Sequence, residues 1–142
     1  MFNRTFEEYE VGEQWVSRGR TLTESDIVNF AGVSGDFYVL HTDAEYAKGT
    51  PFGQRIAHGM LVLSISTGLM DFFPGKVLAF YGIDQLRFTA PTFIGDTVHV
   101  EMELLEKHER RSGGLLVVKH EVKKQTGEPV IVGTLKILVG AN

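Results

Sequence analysis

The chain has 142 residues, no cysteine, 14 Lys and Arg against 18 Asp and Glu, and a formal net charge of −4. One domain over residues 1–142 fits that length and buries about 70% of its unfolded surface without a staple, while the missing thiols exclude disulfides and zinc–thiolate sites. At 43% hydrophobic and 23% charged, with a pI near 5.7, the composition excludes a disordered chain and argues against a nucleic-acid partner.

In chain order, Met1–Glu8 lacks the basic-then-apolar order of a signal peptide, so a cytoplasmic location is expected. Gln14–Arg20 reads as a short first strand. Thr23 then caps a helix, with Asp26 in the capping-box position. Ile27, Phe30 and Ala31 follow at i, i+3 and i+4, and Gly32 and Gly35 end the helix. Residues 34–56 are rich in Gly, Asp, Thr and Pro and read as irregular, with one short helix over Asp43–Lys48. Long loops of this kind in small domains tend to carry function. Gly59–Phe73 is apolar on nearly every side, which predicts a buried helix, and Pro74-Gly75 stops it. Its most apolar part, Met60 to Phe73, is too short and too interrupted by Ser64, Ser66, Thr67 and Asp71 to span a membrane. Strands are predicted over Val77–Thr89, around the alternating Val98–Leu104, over Leu115–Lys123 and over Val130–Val139, with glycine-containing turns between them. A buried helix followed by an antiparallel meander that wraps it is an α+β arrangement, the hot-dog fold.

Two stretches of the irregular segment can carry chemistry. Ser34–His41 places a carboxylate, Asp36, and an imidazole, His41, five residues apart among aromatic side chains. Gln54–Met60 runs into the buried helix, whose first turn offers free N–H groups and partial positive charge. Gly59 at that point lets a carbonyl approach the backbone. An acid–base pair beside a backbone donor suits an enzyme that activates a carbonyl. His58 reads as a buried histidine anchoring the loop. His99, His108 and His120 lie on strands or turns with no metal-ligand spacing, and Lys107–Arg111 reads as a solvated hairpin. Arg55 and Arg87 are either phosphate ligands or surface ion pairs.

The run Arg20–Ile27, the pattern Gly35-Asp36-x4-His41, the run Ile56-Ala57-His58-Gly59 and the later Leu86-Arg87-Phe88-x2-Pro91-x3-Gly95-Asp96-Thr97 together resemble the MaoC-like dehydratases, which include the (R)-specific enoyl-CoA hydratases. The resemblance spans about residues 5–139. It implies a hot-dog fold with active sites at a dimer interface, in a homodimer or a dimer of dimers. It implies Asp36 and His41 as the catalytic pair, the Gly59 N–H as oxyanion donor and Ser64 facing the substrate. The implied substrate is an acyl thioester of coenzyme A or acyl carrier protein, with no metal and no other cofactor. Family members often carry Asn-Pro between the catalytic residues, where this chain has Tyr38 and Val39. Tyr38 then either replaces that polarity with a phenol or partly fills the acyl pocket. The competing readings are an acyl-CoA thioesterase on the same fold and a non-catalytic acyl-CoA-binding or partner subunit.

Overall fold

The computed structural model describes residues 2–142. Its frame is one antiparallel sheet of six strands: β1 (Gln14–Val16), β2 (Arg20–Thr21), β3 (Val77–Phe88), β4 (Thr97–Arg110), β5 (Gly113–Lys124) and β6 (Pro129–Gly140). The order across the sheet is β1-β4-β5-β6-β3, with β2 also paired to β4. Period-2 patterning makes one face apolar: in β4, Val98, Val100, Met102 and Leu104 are buried while His99, Glu101 and Glu103 are not. These side chains join Val118, Val122, Leu135 and Ile137 in a single core with Leu61, Val62, Ile65 and Leu69 of the main helix, α4 (Gly59–Leu69). The expected hot-dog architecture is thus present.

Three details differ from the sequence reading. The first strand is two short ones, β1 and β2, both laid along β4. The strands from Val77 onward are not a simple meander, because β3 pairs with β6 at the far edge and only β4, β5 and β6 follow one another. The connection from β3 to β4 therefore crosses over the sheet and runs past the start of α4, where the Ala57 N–H donates to the Thr92 carbonyl at 2.8 Å. Finally, α4 ends at Leu69 rather than Phe73 and is not buried all round. Met60, Ser64 and Gly68, at i, i+4 and i+8, form an exposed stripe, because the curled sheet encloses only part of the helix's circumference.

The first helix, α1 (Glu24–Ser34), follows the predicted capping. The Asp26 N–H donates to Thr23 Oγ1 at 3.3 Å, and the Thr23 N–H donates back to Asp26 Oδ2 at 2.8 Å. Gly32 lies inside the helix, and Gly35, at φ 75°, ends it in the left-handed conformation that favours glycine. Two further short helices follow, α2 (Val39–Thr42) and α3 (Ala44–Lys48). The second, with Asp43 as its cap, is the predicted short helix, whereas α2 was not predicted. Among the described residues, no helix is long and apolar enough to cross a membrane.

The core also encloses a histidine. His120 of β5 is fully enclosed, on the same side of the strand as Val118 and Val122, and neither ring nitrogen has a hydrogen-bond partner. Burial disfavours its charged form and pushes its pKa down to about 4. Above its unfolded value of about 6.5 the ring is neutral in both states and does not affect stability. As the pH falls from there toward 4, the unfolded chain takes up the proton first and folding loses free energy. The loss levels off below about 4, at roughly 3 kcal/mol. Urea unfolding at pH 7 and pH 4.5 should therefore show a stability drop that is clearly smaller in His120→Leu than in the wild type.

Candidate active site

The left-handed turn at Gly35 swings the chain out of α1 and presents Asp36 on the surface. Its N–H donates to Ser34 Oγ at 3.1 Å, and its own carboxylate accepts from the Tyr38 N–H at 3.2 Å. That second bond is an Asx turn, which launches the single turn of α2. His41 sits on α2 and points inward, where it is almost completely buried. After α3 the chain returns alongside, and the Ile56 carbonyl lies 2.7 Å from His41 Nδ1. A carbonyl only accepts, so Nδ1 carries the proton and Nε2 is left as an acceptor.

His58 completes the cluster. It is 2% exposed, and its Nε2 lies 2.9 Å from the Asp36 carbonyl, so this nitrogen is the protonated one. Its Nδ1 is buried without a partner. The ring stacks on His41 with centroids 3.9 Å apart and planes 29° from parallel, and Phe30 packs against it at 5.0 Å. Burial lowers the His58 pKa, only partly offset by the Asp36 carbonyl, which keeps the ring neutral at pH 7. One Asp36 carboxylate oxygen and one nitrogen from each histidine all lie within 4.8 Å of one another. Those residue types could ligate a metal ion, although one nitrogen of each ring is already engaged by a backbone carbonyl.

Beside it lies a cleft of about 450 Å³, walled by His41, Gly59, Met60, Val62, Phe88 and Ile131 together with the crossover connection. The Gly59 N–H, at the first position of α4, donates to no backbone carbonyl among the described residues. A β-bulge at Gln85, where φ is 52°, re-aims the end of β3. Phe88 packs directly over Gly59, where an added Cβ would meet the Phe88 ring at 2.6 Å. Glycine is therefore required here by a close approach rather than by its φ.

The remaining expected residues are scattered. Tyr38 is half exposed and meets the His41 ring edge-on at 5.9 Å. Ser64 lies on the exposed stripe of α4, its hydroxyl donating to the Met60 carbonyl at 2.8 Å. Arg55 is tied by both guanidinium arms to Glu24, at 2.8 and 2.5 Å, so it makes the ion pair rather than offering a free fork. Arg87 is exposed and donates to the Leu86 carbonyl at 2.9 Å. None of these four lines the cleft. The cleft walls Phe88 and Ile131 were not singled out as site residues, since strand side chains a long way off in sequence reach it only through the crossover. The contact between Gly59 and Phe88 should appear in a double-mutant cycle. Gly59→Ala should lower stability to urea in the wild-type background and lose most of that effect beside Phe88→Ala, with a coupling energy of about 0.5–3 kcal/mol.

The sequence matches the MaoC like domain family over residues 7–126. It is 41% identical to Protein MaoC of Klebsiella aerogenes over 107 residues, which is 75% of this chain and only 32% of that protein. The chain thus spans about a third of the length of that relative. It is 37% identical to an (R)-specific enoyl-CoA hydratase of Rhodospirillum rubrum, covering 96% of this chain and 92% of the relative. Among solved structures, a monoamine oxidase regulatory protein from Archaeoglobus superposes with a TM-score of 0.92 at 42% identity, covering 98% of this chain and 95% of that one. R-hydratase PhaJ1 from Pseudomonas aeruginosa superposes with a TM-score of 0.82 at 34% identity, covering 97% and 86%. A Mycobacterium tuberculosis protein with a double hotdog fold, 20% identical with a TM-score of 0.86 over 99% of this chain and 45% of that one, shares the fold.

Proposed function

The chain belongs to the MaoC-like domain family, and from that premise we propose that it is a hydratase that reversibly adds water across the double bond of a trans-2-enoyl thioester. The product is a 3-hydroxyacyl thioester, in the (R) form by analogy with the (R)-specific enoyl-CoA hydratase it resembles. The observation that carries the reading is the approach of the Asp36 carboxylate and a His41 ring nitrogen to within 4.8 Å, a separation one water can bridge. Supporting it are the apolar cleft for an acyl chain and the free N–H at the start of α4.

Hydration needs an acceptor for a proton of water, a donor to the α-carbon and a partner for the charge that builds on the thioester oxygen. Asp36 and the unprotonated Nε2 of His41 supply two acceptors for one water. As its oxygen bonds to the β-carbon, the C=C π pair shifts toward the thioester carbonyl, whose oxygen the Gly59 N–H holds. The pair takes one proton from water and returns one to the α-carbon, so neither residue changes charge over the cycle. No metal or redox cofactor enters this scheme. The carrier is coenzyme A or acyl carrier protein, and the reaction belongs to the cytoplasm. The working unit is a homodimer, a reading supported by β3, whose edge is unpaired and exposes Leu78, Phe80 and Tyr81.

Against the thioesterase reading, α4 carries no carboxylate to aim water at a thioester carbonyl. Asp71 lies beyond its end and is paired with Arg18 at 3.2 Å. The test is absorbance of the conjugated thioester when crotonyl-CoA meets the protein. Enoyl absorbance should fall without release of thiol, and Asp36→Asn, at an exposed position, should fold normally and lose about 10²–10⁴ in kcat. Thiol release would move the assignment to thioesterase, and no change in either signal would favour the acyl-CoA-binding subunit.

A further inference from the structure

Resting on the hydratase reading, we propose that His58 is a positioning residue, which ties the turn carrying Asp36 to the ring of His41 so that both groups meet the same water. One enclosed side chain makes both connections: its Nε2–H donates to the Asp36 carbonyl at 2.9 Å, and its face lies on His41 at 3.9 Å. Asp36 itself is exposed, and its other restraints are weaker, the Ser34 hydroxyl at 3.1 Å and the Tyr38 N–H at 3.2 Å. The bond from His58 is the shortest of the three. His58 is also the cap residue of α4, immediately before Gly59. A single position thus fixes the proton-transfer pair relative to the backbone donor.

The chemistry of the ring argues that its role is more than filling space. His58 Nδ1 is buried with no partner, a cost that phenylalanine or leucine in the same volume would not carry. The advantage a histidine has there is its Nε2–H. The ring must also remain neutral, because a charged His58 would face a second imidazolium at 3.9 Å whenever His41 takes a proton. Its enclosure beside Phe30 provides that.

Two substitutions separate the hydrogen bond from the stacking. His58→Phe keeps an aromatic face for His41 and loses the donor. His58→Gln places an amide N–H the same number of bonds from Cα and loses the ring. With crotonyl-CoA, His58→Phe should lower kcat at least about tenfold while KM stays within about threefold, since misplacement by a fraction of an ångström acts on the reacting geometry. His58→Gln should return kcat to within about threefold of the wild type. A His58→Phe protein whose kcat is within about twofold of the wild type, or a His58→Gln protein as impaired as His58→Phe, would overturn the proposal. His58→Leu replaces His58→Phe if the latter does not fold. A wild-type protein that hydrates no enoyl thioester would instead fail the functional reading. The positional claim is then read by NMR: the amide resonances of Asp36 and Phe37 should shift in His58→Phe and stay near their wild-type positions in His58→Gln. Equal shifts in both variants, or none in either, overturn it.

Discussion

Everything in this molecule depends on how α4 lies in the trough of the curled sheet. Leu61, Val62, Ile65 and Leu69 meet the apolar faces of β4, β5 and β6, and burying four such side chains is worth about 1.5–3 kcal/mol each before entropy is charged. That packing sets the helix's position along the sheet and therefore where its first turn emerges. The turn emerges where the crossover from β3 to β4 passes, and the backbone bond from Ala57 to Thr92 fastens the two together. A cleft forms between them with its donor already oriented. Polar groups then need only be brought alongside, which is the task of the loop from Gly35 to Ile56.

That loop has little regular structure and yet is closely constrained. Two of its carbonyls set the state of the histidines: the Ile56 carbonyl fixes the tautomer of His41, and the Asp36 carbonyl that of His58. Preorganisation of this kind leaves few dipoles to reorient during a reaction. The stacked histidines also show how a buried pair of titratable groups divides its work. One has a free acceptor nitrogen beside the cleft, and the other is enclosed and kept neutral.

Local signals in the sequence were legible where the physics is local. The Thr23–Asp26 capping box, the glycine stop at Gly35, the short helix near Asp43–Lys48 and the alternation in β4 each depend on residues a few positions apart, and each is present. The spacing and the family resemblance singled out Asp36, His41 and Gly59, and the fold brings Asp36 beside His41, which with Gly59 lines the cleft. What was hidden depends on distant pairing. The move of β3 to the far side of β6 follows from inter-strand register, which no short window contains. The exposed stripe on α4 was present in the sequence as Ser64 and Gly68, but the neighbouring leucines and isoleucine outweighed it. Arg55 could not be separated from a phosphate ligand until Glu24, 31 residues earlier, was seen to engage both of its arms.

The close approach of Phe88 to Gly59 ties the strand wall of the cleft to the start of α4. The helix contributes a backbone group at a position where a side chain fits only if Phe88 gives way, so mutation there has little freedom while Phe88 is present. The facing wall is built from side chains at the ends of β3 and β6, including Phe88 and Ile131, which contribute side chains rather than backbone groups. A lineage of such proteins could therefore reshape what the cleft accepts by altering strand residues while the helix start stays the same. In this architecture, new ligand preferences would be inherited through the sheet, while the backbone donor stays with the helix.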